Sequence, residues 1–191
     1  MYSLRRTVAP TVSPVSLAAF KEYLGVGDDD QDAILLQPLL DSAIKHVEDQ
    51  AGIVMAPSTW TQSDDCFPGF NDVLCLMRPP VTAVTGISYT DVNGSTQSLD
   101  LATVDVDTNR WPAMIKPKPG TYWPQTQLGK LNAVVTTFTA GDSIPHPSAV
   151  RAVLLLAGQW FHQREATVVG KTSTAIPLAF DACLNDLRWP Q

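Results

Sequence analysis

Ser143 is the residue of this chain best placed for nucleophilic chemistry, since it ends the triplet Gly141-Asp142-Ser143 directly behind the apolar stretch Ala133–Thr139. A serine hydroxyl attacks an acyl carbon only when a neighbouring base takes its proton. His162 and Glu165 have a spacing at which two helix side chains could form half of a metal site, and Asp105 and Asp107 share one face of an extended segment, as paired acids might. Asp28, Asp29, Asp30 and Asp32 crowd together like a calcium loop.

None of these constellations is complete. Gly141-Asp142-Ser143 resembles the nucleophile block of GDS-type serine hydrolases, whose base comes from a downstream Asp-x-x-His, but neither Asp181 nor Asp186 has a His three positions on. That block also opens its catalytic domain, whereas here it lies at position 141 of 191. A small hydrolase using Ser143 is kept as the alternative reading. His162 and Glu165 lack a second matching pair, and nothing marks a pocket or base beside Asp105 and Asp107. An EF-hand needs a Glu twelfth in its loop, and Leu39 stands twelfth from Asp28. The carboxylates instead suit a helix N-terminus. Cys66, Cys75 and Cys183 show no CxxC spacing and read as reduced thiols in a cytoplasmic product. The expectation is no catalytic residue, no cofactor and no metal.

The elements that would position these residues fall in three blocks. Residues 1–14, with Pro10 and Pro14, show no helical or strand period and read as an extended N-terminal arm. Over 15–53, Ser16 is placed to cap a helix from Leu17 to Leu24 that stops at Gly25 and Gly27. A second helix carries Leu36, Leu40, Ala43, Ile44, Val47 and Ala51 opposite Gln37, Asp41, Lys45, Glu48 and Asp49, and ends at Gly52. Pro38 either splits or kinks it.

From 54 to 145 the composition turns to Thr, Val, Ser and aromatic residues. Candidate strands are Thr59–Ser63, Val73–Met77, Val84–Thr90, Thr96–Leu101, Val104–Asp107, Ala113–Lys116 and Ala133–Thr139, with Asn93-Gly94 signalling a hairpin turn. Over 146–191 helices return: Pro147 suits a first helical position, Val150, Val153, Leu154, Ala157 and Phe161 form a stripe, and a last helix spans Phe180 to Leu187. The fold class is therefore α+β, a helical core from the N- and C-terminal segments with an inserted, mostly antiparallel β segment.

The chain has 191 residues, a net charge of −6 and only 17% charged residues, against roughly 25% in soluble domains generally. So sparse a charge suggests surface covered by a partner. The acidic balance argues against broad nucleic-acid binding, which needs clustered Lys and Arg. No apolar run approaches the roughly 20 residues of a membrane span, and the start lacks a signal-peptide core. No membrane partner is expected.

The order of these segments resembles the head-tail connector, or adaptor, proteins of tailed bacteriophages, prophages and phage-like particles. The stretches that carry it are Val15–Leu24, Asp30–Leu36 leading to Val47–Gly52, Leu76-Met77-Arg78-Pro79-Pro80-Val81, the hairpin Ile87–Gly94, Phe138-Thr139-Ala140-Gly141, Val150–Leu156, Trp160–Glu165 and Val168-Val169-Gly170. Pro38 inside the second helix departs from the pattern. The resemblance implies a non-enzymatic virion protein, assembled in the bacterial cytoplasm, that forms a ring. That ring is expected to be dodecameric in the particle, although the isolated chain can stay monomeric. It would dock under the portal protein and receive the stopper or tail proteins, with DNA passing through its channel. A tail-completion or stopper protein is a further alternative.

A closed ring joins one face of each subunit to a different face of the next. Trp160, Phe161, Arg164, Glu165, Leu187, Arg188 and Trp189 are the candidate interface residues, because large aromatics and Arg concentrate at buried interfaces. Residues 1–53 sum to −4 (4 minus 8), 54–145 to −3 (5 minus 8) and 146–191 to +1 (4 minus 3). Asp28, Asp29, Asp30 and Asp32 are accordingly the candidate lumen charge, which would repel phosphate and let DNA slide, and the C-terminal part is the candidate portal contact.

Overall fold

Ser16 has extended backbone and its hydroxyl accepts the Ala19 N–H at 3.1 Å, so α1 (Leu17–Leu24) starts where the sequence places a cap. It ends at Gly25, whose φ of 68° is the left-handed turn glycine adopts without strain. The computed structural model describes residues 2–27, 30–69, 72–162 and 178–187. They form an α+β fold of two units: residues up to 11 with Ala56–Ser143, and Val12–Met55 with the residues from Ile144 on.

In the helical unit, α2 (Asp30–Ala51) runs unbroken through Pro38. The proline removes one donor, and the Ser42 hydroxyl bonds the Pro38 carbonyl at 2.7 Å on the next turn. Leu36, Leu40, Ala43 and Val47 are buried as their spacing predicts. Glu48 departs from its expected polar face: it is buried, and its Oε1 accepts the Met55 N–H at 2.9 Å. The chain turns back after Ala51, and the carboxylate meets a backbone donor that has left water.

α3 (Pro147–His162) and α4 (Leu178–Leu187) complete this unit. The buried face of α3 is Ala149, Ala152, Val153, Leu156, Ala157 and Gly158, so Val153 and Ala157 of the expected stripe are buried while Val150, Leu154 and Phe161 are half-buried. A Cβ on Gly158 would lie 2.9 Å from Tyr23 Cε1, so α3 meets α1 at a glycine, while Val150, Leu154 and Phe161 stay half-buried. On α4, Phe180, Cys183, Leu184 and Leu187 are buried.

The other unit holds a five-stranded antiparallel sheet in the order β1 (Tyr2–Val8), β2 (Ser58–Asp64), β8 (Val134–Ala140), β4 (Val81–Thr90), β5 (Thr96–Leu99). A three-stranded antiparallel sheet orders β3 (Leu74–Leu76), β7 (Ala113–Pro117), β6 (Val104–Asp107). Tyr2–Val8, read from sequence as an arm without strand period, is thus an edge strand, with Arg5 opposite Thr61. An edge strand exposed along most of its length needs no apolar alternation, and Arg6 fills an inward position by lying over the Trp60 ring, 4.7 Å from its centre. Leu101 begins a 3-10 turn instead of ending β5.

Candidate interaction surfaces

Ser143 is exposed just beyond β8, where its triplet has a backbone role. Gly141 has φ 98°, its N–H donates to the Pro80 carbonyl at 2.8 Å, and a Cβ there would stand 2.3 Å from the Ala56 carbonyl oxygen. Only glycine fits. Among the described residues no base is hydrogen-bonded to Ser143. His146 Nδ1 accepts the Ser148 N–H at 3.3 Å, at the start of α3.

The remaining chemistry-bearing residues of the sheet unit are engaged locally. Asp107 meets Arg110 Nε at 2.9 Å, and Asp105 lies 4.0 Å from Lys118 Nζ. Asp91 holds the hairpin: its Oδ1 accepts the N–H of Asn93 and of Ser95, both at 2.9 Å, and its Oδ2 accepts from Gln97 at 3.0 Å. These bonds, the Gln97 one first, hold the Asp91 carboxyl below its usual range. Burial pushes Asp64 above it, against the bond from Gln62. Cys66, Cys75 and Cys183 are free thiols. Among the described residues no group of three His, Cys, Asp or Glu could hold a metal ion, and no helix is long and apolar enough to cross a membrane.

Of the candidate interface residues, Trp160 is half-buried and meets His46 edge-on at 6.0 Å. Phe161 is half-buried beside His162, at 5.5 Å. Leu187, expected at an interface, is buried within the helical unit, because α4 spends its apolar face on that core. Arg164, Glu165, Arg188 and Trp189 lie outside the described residues, as do Asp28 and Asp29. Asp30 and Asp32 belong to the first turn of α2, where acidic residues favour a helix N-terminus. The Asp186 carboxylate accepts from the Ser148 hydroxyl, joining α4 to the start of α3.

Two apolar surfaces escaped the sequence reading. In the sheet unit Phe67 stacks on Trp123 (centres 4.7 Å apart, 11° between planes) and meets Tyr89 edge-on, beside exposed Val92 and Leu128. In the helical unit Val150, Leu154 and Leu155 on the outer side of α3 wall a groove with Tyr23 and Ile144. The signal for the groove is the small-residue series Ala149, Ala152 and Gly158, which marks the true inner face of α3.

No family model matches the chain, and no curated protein matches it. Solved structures do. A chain from the neck of an empty GTA particle with C6 symmetry superposes with a TM-score of 0.78 at 22% identity, covering 99% of this chain and 96% of that one. A chain from the virion of a native gene transfer agent (GTA) particle gives 0.76 at 22%, covering 98% and 96%. One from the neck of a native GTA particle with C12 symmetry gives 0.72 at 21%, covering 99% and 96%. The chain shares their fold over nearly its whole length.

Proposed function

We propose that this chain is a structural neck protein of a tailed-phage-like particle, a head-tail adaptor that assembles as a ring between the portal and the stopper or tail. The observation that carries the reading is the near-complete overlap, 99% of this chain and 96% of the other, with a chain of a particle neck. The sequence order of caps, hairpin and apolar helices supports it independently. The C6 and C12 symmetry of those necks supports a ring, expected to hold twelve copies.

The role is non-enzymatic. DNA passes the channel without specific binding, consistent with a net charge of −6, and Asp28, Asp29, Asp30 and Asp32 supply lumen charge. The C-terminal tail reaches the portal. Because Leu187 is buried and Asp186 holds Ser148, removal of Arg188–Gln191 alone tests that contact without stripping α4.

Electron microscopy of the full-length chain mixed with its portal protein tests the proposal. A ring of copies seated on the portal is expected, and it should persist in Ser143→Ala. A chain that never joins the portal as a ring overturns the adaptor role, and loss of a hydrolase activity in Ser143→Ala would favour the enzyme.

A further inference from the structure

The groove on the outer side of α3 has a volume of about 620 Å³, and among the described residues lining it Arg151 is the one charged side chain. Tyr23 is 49% and Ile144 83% exposed, so its apolar wall faces solvent in the single chain. Walls of this kind on a protein surface mark a contact site.

The same unit presents a matching ridge. Leu35 is 63% exposed, Pro38 is exposed and Leu39 half-buried, and Pro38 and Leu39 stand three and four positions after Leu35 along α2. Exposed Asp41 follows Pro38 by three positions, on the next turn. The ridge is apolar beside the acid Asp41, whereas the groove is apolar beside the cation Arg151.

Neither feature satisfies the other within one chain, since both remain exposed. Two different, complementary patches on one subunit are what a heterologous ring contact requires. We infer that the groove of one copy receives the Leu35–Pro38–Leu39 ridge of α2 from the neighbouring copy, with Arg151 meeting Asp41 of that helix. The inference rests on the ring proposed above. It also gives the exposed Pro38 of α2 a place, at the crest of a contact.

Leu35→Cys and Leu154→Cys in one full-length chain test it, assembled in particle necks and treated with a mild oxidant. Each copy then carries both halves of the contact, so a ladder of covalent multimers is expected. The wild type, with its own Cys66, Cys75 and Cys183, and the two single variants should give no ladder. Arg151→Glu is expected to lower incorporation, and adding Asp41→Arg to recover it, with circular dichroism reporting an intact fold in each.

Rings of normal symmetry that yield no ladder overturn this contact while leaving the adaptor reading intact. Cross-linking of Leu154→Cys to a different chain overturns it in favour of a portal or tail partner. Wild-type necks without any ring of this chain overturn both.

Discussion

Gln62 and Met77 are joined across the two sheets: the Gln62 Oε1 accepts the Met77 N–H at 3.0 Å, while its Nε2 donates to the Cys75 carbonyl at 2.8 Å. Gln62 is 1% exposed, so a buried side chain on β2 supplies both hydrogen bonds to the part-buried backbone at β3. Gln62→Leu keeps the approximate volume and orphans both groups. A loss of about 1–3 kcal/mol is expected from two part-buried groups left unsatisfied, read from the denaturant midpoint. An unchanged midpoint would contradict the bridging role.

Glu48 performs a similar service in the helical unit by accepting the Met55 N–H. Glu48→Ala is expected to cost about 1–3 kcal/mol by leaving that donor buried and unpaired. Glu48→Gln retains an acceptor oxygen and should cost less. Equal losses for the two variants would point to the carboxylate charge instead of the acceptor oxygen.

Gly141 is required by close approach as well as by its φ of 98°. Gly141→Ala places a methyl 2.3 Å from the Ala56 carbonyl oxygen, so β8 and the start of β2 must move apart. The backbone strain alone is expected to cost about 1–3 kcal/mol, with the clash added to it. Thermal unfolding checks this, and a wild-type midpoint would refute the required approach.

The Asp91 turn makes a pH prediction. Its carboxyl is held below the usual range in the folded chain, so its contribution is complete above the unfolded value of 3.8 and fades as pH falls through the lower folded value. The protection of the Ser95 amide, its exchange rate relative to the intrinsic rate at each pH, should fall over that window. In Asp91→Asn this acid-dependent step should vanish, because no carboxylate remains to titrate.

Local chemistry explains what the sequence made legible. Ser16 and Gly25 bracket α1 because a hydroxyl acceptor and a left-handed residue are needed there whatever lies beyond. Asn93-Gly94 marked its hairpin for the same reason, with Gly94 at φ 84°. Each of the seven predicted strands has its counterpart in β2 to β8. The edge strand β1 was hidden, since its half-buried positions are Leu4 and Arg6, and a cation in an inward position interrupts the apolar alternation.

The surfaces were less legible. The apolar stripe of α3 grouped Val150 and Leu154 with Val153 and Ala157, whereas the packed helix buries Val153, Leu156 and Ala157 beside Ala149, Ala152 and Gly158 and leaves Val150 and Leu154 to wall a groove. The aromatic set Phe67, Tyr89 and Trp123 comes from three separate segments, so no spacing could announce it. By itself the sequence determined the caps, turns and strand positions, because these depend on neighbours within a few residues. Only the tertiary structure decided that Glu48 and Gln62 serve the core and which side of α3 faces outward, because burial depends on what the rest of the chain brings alongside.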